Sequence, residues 1–547
     1  RVPAIGIDLG TTFTAVSYVD KGVVKVIQNN AGNEITPSVV HFAEDIVLVG
    51  EEAVKKRRDT SMNTIYNIKR IIGRRHDDSF IQLRRWSFEI LRGNNERANI
   101  RVDAEIFTPE QISAFILKYM KTIAKKVLFE EPVDAVITVP ANFTNAQREA
   151  TKDAGAMAGL NVLQIVNEPT AAAIAFREES NNNSIPEMRI SELRRVLVFD
   201  LGGGTFDVSI VEIEGLETRV LATDGLTSLG GSDFDERIYG EALTRFQDIG
   251  INITEVDWTL MEACEAAKKA LSRRNSARIS HVRYGGAGFD LPYSTFIELC
   301  EDLFEQTLSL TDKVLEDAAL DEELLDEILL VGGSTRIRRI REMLAERFPR
   351  TRIRDDIEPE LAVAKGAAIL AHSLAAKTSA YGSCSSSLGT AENSPEESIS
   401  SVTLIDVAPL HLGLRLDGDI CKVLIPRNAR LPFSAYTLCT NVADYKKALT
   451  IEILEGDSLQ ASQNNTLAKV EIECSPKPMN KNLIKVVLSI DVSGILSITA
   501  IDVHTEKQVS VTITNVRLRI VILKMFNWYS RCYSAGKAAR FRDCSND

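Results

Sequence analysis

Three short Gly-rich turns carry the residues best suited to chemistry in this chain. They are Asp8-Leu9-Gly10-Thr11-Thr12, Asp200-Leu201-Gly202-Gly203-Gly204-Thr205 and Gly332-Gly333-Ser334-Thr335-Arg336. Each follows an apolar run that reads as a buried strand: AIGIDL (4–9), VLVFDL (196–201) and EILLV (327–331). Phosphate binding needs backbone N–H groups that approach closely, and Gly permits both the approach and the unusual φ/ψ. Thr11, Thr12 and Thr205 add hydroxyl donors. One such turn is weak evidence, because strand–Gly–helix connections are common. Two Asp-bearing turns at the ends of similar strands are stronger evidence. A carboxylate beside a phosphate is repelled unless a cation lies between, so Asp8 and Asp200 are expected to hold hydrated Mg²⁺. No GxxxxGK[ST] motif exists, so this is not a Walker-type site.

The elements around these turns repeat. The strand–Asp–Gly–hydroxyl pattern of 4–12 recurs at 196–205, and each copy is followed by two more strands (15–19 and 23–27; 207–213 and 218–222). This predicts an internal duplication and two similar α/β lobes. Helices are expected near 109–129, 144–158, 233–247, 257–274, 294–318, 336–347 and 359–376. Within 257–274, Glu265, Lys268, Lys269 and Ser272 are spaced i, i+3, i+4 and i+7 and share one face. A solvated amphipathic face has the same pattern. Residues 377–401 are rich in Ser, Gly, Ala and Thr and read as a flexible linker, which extends to 405. Residues 406–514 read as short strands with turns such as EGD and DVSG, an all-β sandwich. Residues 515–547 form an atypical basic tail of net charge +5, against −17 for the rest.

The 547 residues exceed one hydrophobic core. The net charge of −12 argues against a general nucleic-acid or membrane-surface binder. The eight Cys form no CxxC pair and no Cys/His cluster, as expected of incidental thiols in a reducing compartment. No apolar stretch is long enough to span a bilayer. No signal peptide is visible, but the chain starts at Arg1 rather than Met, which leaves a removed targeting segment open.

Across 3–514 the chain resembles the seventy-kilodalton, DnaK-type heat-shock chaperones, whose ATPase has the actin/hexokinase fold. Besides the turns, the likeness is carried by NTIYNIKRIIGRR (63–75), residues 137–176, LGGSDFD (229–235) and DEILLVGGSTRI (326–337). VAPLHLGLRL, VLIPRNARLP and DVSGILSITAID carry it in the C-terminal part. The resemblance implies an ATPase domain over 1–376, ATP and ADP as ligands, Mg²⁺, and K⁺. It makes Lys69 the catalytic lysine, Glu168 an acid that places water around the metal, and Asp200 the group that orients or deprotonates the attacking water. Asp8 and Asp207 match metal and monovalent-cation neighbours, and Thr205 a hydroxyl near the γ-phosphate. Gly10, Thr11, Thr12, Phe13, Gly202, Gly203 and Gly204 would cradle phosphates. Glu265, Lys268, Lys269 and Ser272 would grip adenosine opposite Gly333, Ser334 and Arg336. On position alone, Lys69 would read as an ordinary surface lysine.

The resemblance also implies a sandwich that grips extended hydrophobic polypeptides, at a pocket of Leu412, Leu414, Cys439, Val442, Leu449 and Ile451. A J-domain co-chaperone and a nucleotide exchange factor are the implied partners, and the cytoplasm the implied location, with the endoplasmic reticulum lumen as the alternative. Several positions depart from the family pattern. Lys269 stands for Arg, which stacks on adenine better. Phe13 stands for Tyr, Arg338 for Pro, Cys439 for Phe and Asp417 for an apolar residue. Thr403 interrupts the aliphatic linker 402–406, which predicts weaker coupling. The tail resembles no helical lid. An ATP-driven chaperone is the leading expectation. A lidless, coupling-impaired relative acting as a nucleotide-dependent binding or regulatory module is the second, and a small-molecule kinase of the same fold a remote third.

Overall fold

A computed structural model describes residues 2–43, 46–57, 61–183, 193–354, 357–383 and 402–512. The basic tail and most of the Ser-rich stretch therefore lie outside the described residues.

Two sheets repeat one topology. In the first, the strand order is Asn161–Asn167, Asp134–Val139, Ile5–Leu9, Phe13–Asp20, Val23–Val26. In the second it is Arg352–Arg354, Glu327–Val331, Arg194–Leu201, Phe206–Glu214, Glu217–Leu226. In each, the central strand pairs in parallel on one side and antiparallel on the other. Parallel strands bury both faces, which explains the continuous apolar runs.

Each sheet has its own core, and a third core lies between them. That third core is built on two helices, Glu168–Asn183 and Ala362–Ser383. Their Ala-rich faces permit close approach. A Cβ on Gly366 would sit 1.7 Å from the Ala171 carbonyl oxygen, and one on Gly6 would sit 2.0 Å from the Ala368 nitrogen. The last helix runs to Ser383, past the expected end at 376. The Ala-rich part ends at Ala376, and Lys-Thr-Ser-Ala-Tyr-Gly-Ser continues the helix because extending a formed helix avoids the cost of nucleation, so 377–383 is helix and not linker.

The other end of the expected linker is ordered too. Thr403–Ile405 is a sixth strand on the second sheet, parallel to Glu217–Leu226. Val402 and Val407 are buried in the third core, and Leu404 packs against it. Thr403 is exposed. Successive strand residues face opposite ways, so the polar residue occupies the solvent side, and the interruption removes no buried contact. Thr403 thus interrupts the aliphatic run in sequence but not on the buried side of the strand.

Residues 407–512 form two four-stranded antiparallel sheets around a common core. Strands Ile484–Ile490 and Leu496–Asp502 alternate buried and half-buried positions along their length, as a half-solvated sheet requires. This sandwich docks on the two lobes through a polar interface. Asp406 accepts from the Asn167 side chain at 3.0 Å and from Thr170 at 3.1 Å. Arg148 donates to the carbonyl of Ser493 at 3.4 Å. Arg427 pairs with Asp224 at 2.7 Å and donates to the Thr223 carbonyl at 2.9 Å. Glu455 accepts the Asn145 backbone N–H at 3.1 Å through one oxygen, while its other oxygen is buried without a hydrogen bond.

Burial raises the Glu455 carboxyl from 4.5 to about 7, opposed by the Asn145 N–H and by Arg148. Burial raises Asp406 in the same direction. Exposed on undocking, Glu455 returns to an ordinary value, so the docked state takes up a proton. Docking is most favoured below the ordinary carboxylate range and weakens as pH rises from there through about 7. Protease cleavage within 402–406 is therefore expected to accelerate over that rise. Glu455→Gln should flatten the pH dependence.

Candidate active site: a cleft between two duplicated lobes

The sheets open onto a cleft of about 1620 Å³. That is ample for a nucleotide, since small-ligand pockets are roughly 300–1,000 Å³. Its lining includes Gly10, Thr11, Thr12, Phe13, Gly202, Gly203, Thr205, Gly333, Ser334 and Arg336, so the three Gly-rich turns meet at one cleft. Gly204 and Asp207 do not line it. Gly204 is buried with its carbonyl turned to Arg70, and Asp207 lies opposite Asp200 on the neighbouring strand, behind the wall.

The two Asp-bearing turns approach each other closely. A Cβ on Gly203 would sit 1.9 Å from the Thr12 hydroxyl. The Ser334 hydroxyl donates to the Gly202 carbonyl at 2.8 Å, which ties the third turn to the second. Gly231 and Ser232 N–H groups cap the Gly202 and Gly203 carbonyls at 2.9 and 2.8 Å. The Gly202–Gly204 loop is thereby held in shape by hydrogen bonds made behind it.

At the base of the cleft, Lys69 is buried rather than a surface lysine, and it donates to Glu168, the first residue of its helix. Lys69 sits in a single 3₁₀ turn, Ile68–Arg70, entered through Asn67 in the left-handed region at φ 53°. Asn tolerates that conformation better than most residues. Asp8 accepts from Thr138 at 3.2 Å.

Four carboxylates, Asp8, Glu168, Asp200 and Asp207, thus surround one ammonium. Burial first, then the Glu168 charge, lifts the Asp8 carboxyl to about 7 against the pull of Lys69. The same two causes lift Asp207 to about 8 and hold Asp200 well above the usual carboxylate range. One Asp207 oxygen is buried without a hydrogen bond. Such a set fits cations. Among the described residues, no three His, Cys, Asp or Glu come close enough to ligate an ion by themselves. Mg²⁺ would accordingly be held largely through water and phosphate oxygens.

Glu265, Lys268, Lys269 and Ser272 also line the cleft. Lys268 donates to the Gly231 carbonyl at 2.8 Å and to Asp235 at 2.9 Å. Lys269 pairs with Glu265 at 2.7 Å along the helix Trp258–Leu271. Arg336 pairs through two nitrogens with Glu360, at 2.7 and 2.8 Å, which fixes its guanidinium plane. Sequence reading missed Glu360, Asp235 and Thr138. Asp235 lies in LGGSDFD and Thr138 in 137–176, two stretches that carry the resemblance, but neither residue has a role assigned there, and Glu360 lies outside them. All three act through contacts distant in sequence, which no local pattern marks.

The sandwich positions divide. Leu412, Leu414, Leu449 and Ile451 belong to the buried core, and Cys439 packs against it half-buried. Val442 is 54% exposed in the loop beyond Cys439 and does not join them.

A duplicated cleft of this kind, followed by a sandwich, defines an actin-like ATPase joined to a β-sandwich polypeptide-binding domain. Residues 4–519 match the family described as Hsp70 protein. The chain is 38% identical over 533 residues to the heat shock 70 kDa protein of Neurospora crassa, covering 95% of this chain and 78% of that one. It is 37% identical to heat shock cognate 70 kDa protein 3 of Dictyostelium discoideum, covering 94% and 81%. It is 35% identical to a ribosome-associated molecular chaperone of Saccharomyces cerevisiae, covering 98% and 86%. The chain belongs to the Hsp70 family. It is an ATP-dependent molecular chaperone, an ATPase that binds nucleotide with Mg²⁺ and binds unfolded polypeptides. No helix among the described residues is long and apolar enough to cross a membrane.

The contact between turns gives a direct test. Gly203→Ala should push the two lobes apart at Thr12 and weaken ATP binding at least tenfold, or about 1.4 kcal/mol. Isothermal titration calorimetry measures this, with unchanged circular dichroism as the check on folding.

Proposed function

We propose that Lys69, Glu168, Asp200 and Thr205 carry out hydrolysis, and that the sandwich reads the nucleotide state through the strand 403–405. The observation that carries this reading is the meeting of a buried Lys69–Glu168 pair with three Gly-rich turns at one cleft. Phosphoryl transfer to water is governed by positioning and charge neutralisation, which this arrangement suits. Lys69 meets the γ-phosphate and the attacking water. Asp200 orients that water or takes its proton, and Thr205 donates to the γ-phosphate. Asp8, Asp200 and Asp207 hold Mg²⁺ through its waters, and the Asp207 side of the cluster suits K⁺.

Adenosine lies between the face of Glu265, Lys268, Lys269 and Ser272 and the turn of Gly333, Ser334 and Arg336. The flat, carboxylate-held Arg336 is the stacking surface there. Lys269 offers only a point charge, so adenine binding rests mainly on one side. Extended apolar polypeptide binds in the sandwich near Leu412, Leu414, Cys439, Leu449 and Ile451, with Val442 at the rim. A J-domain co-chaperone and an exchange factor complete the cycle, and the cytoplasm is the proposed location. The docked strand 403–405 supports a coupled chaperone over an uncoupled regulatory module.

Single-turnover ATP hydrolysis, with and without an extended hydrophobic peptide, tests both halves. Peptide is expected to speed hydrolysis, and Lys69→Ala to reduce the rate by about 10²-fold or more, the scale of losing one electrostatic donor, while ATP still binds. Hydrolysis that ignores peptide would remove the coupling claim and leave the ATPase.

A further inference from the structure

Arg70, next to Lys69, is the largest fully buried side chain of the described residues, at 1% exposure. Burying a guanidinium is costly unless its donors are satisfied. Here they are satisfied across the cleft. Arg70 Nε and Nη2 both donate to the Gly204 carbonyl, at 3.0 and 2.8 Å. Nη2 also donates to Asp233, and Nη1 reaches the same carboxylate at 3.4 Å. Gly204 and Asp233 belong to the second lobe, and Lys69 and Arg70 to the first.

Asp233 is a junction. It accepts from the Gly230 N–H at 2.7 Å in the first turn of the helix Gly231–Asp248. It also receives Arg84, which reaches Glu236 at 2.6 Å. In the same turn, the Gly231 carbonyl accepts from Lys268 on the adenosine side. A Cβ on Gly230 would sit 2.4 Å from the Gly204 nitrogen, so this turn and the phosphate turn move together. A short path therefore joins Lys69, the phosphate turn and the adenosine helix. Arg70 links the Lys69 turn to the second lobe directly, beside the crossing made by Arg84, and unlike Arg84 it has no surface on the cleft.

We propose that Arg70 is a positioning residue for ATP hydrolysis. It locks the turn that carries Lys69 onto the Gly202–Gly204 loop, so that closing the cleft sets the distance between Lys69 and the terminal phosphate. This rests on the reading of Lys69 given above. The site demands Arg rather than Lys, because only a fork of donors spans Gly204 and Asp233 at once.

The test uses the full chain and separates ATP binding from single-turnover hydrolysis. Arg70→Lys is expected to lower the hydrolysis rate about 100-fold, the cost of a misplacement near 1 Å, and to change the ATP Kd by no more than about threefold. Asp233→Asn, which keeps volume and shape, is expected to lower the rate about tenfold with the same small effect on Kd. Millimolar ethylguanidinium should restore part of the rate of Arg70→Ala and none of that of Lys69→Ala. Wild-type hydrolysis by Arg70→Lys or by Asp233→Asn overturns the inference. So does a parallel loss of rate and affinity, which marks a structural or uniform-binding role. Lys69→Ala at the full rate would overturn the reading of Lys69 instead.

Discussion

The structure is organised around a concentration of buried negative charge. Asp8, Glu168, Asp200 and Asp207 meet where two sheets face each other, with the Lys69 ammonium among them. Burial disfavours the ionised forms of Asp8, Asp200 and Asp207, and the group as a whole needs compensating positive charge. Two sheets bring Asp8 and Asp200 to corresponding strand ends. The apolar cores behind them make that placement rigid, since close-packed interiors resist small displacements. A charge-rich centre on a rigid apolar frame is what a phosphate-and-metal site requires.

The helix that carries Glu168 into the cleft also touches the segment that leads to the sandwich. Glu168 opens the helix whose third residue, Thr170, holds Asp406, and Asn167 just before it holds the same carboxylate. A group at the base of the cleft and a group at the interdomain contact are thus within one helical turn. One helix start therefore has hydrogen-bond partners on each side, in the cleft and at the interdomain contact.

Several departures from the family pattern acquire a local meaning. Arg338 lies over the Tyr293 ring at 3.6 Å and pairs with Glu342, so it stabilises the start of its helix from the outside. Thr403 faces solvent and leaves the linker's buried side aliphatic. Lys269 is tied to Glu265 on its own helix, and Arg336 to Glu360. The two cations that face each other across this part of the cleft thus differ in charge shape, a point charge against a planar fork.

The sequence by itself determined the strand–turn repeats, the duplicated lobes, the Asp and Gly positions at the turns and the sandwich. These are local: apolar runs, Gly at turns and hydroxyls at fixed offsets are set by backbone sterics and burial within a few residues. It also made Lys69 legible, though only through the surrounding motif, since a lone lysine carries no pattern of its own. What the tertiary structure alone decided is which distant groups share a desolvated site. The partnership of Arg70 with Gly204 and Asp233 spans both lobes. The contact of Glu455 with Asn145 spans two domains. Along the chain, Arg70 looks like any other basic residue of KRIIGRR, and Glu455 like a turn acid. Their roles come from losing water on docking, and desolvation is a property of the packed surroundings, which spacing along a chain does not encode.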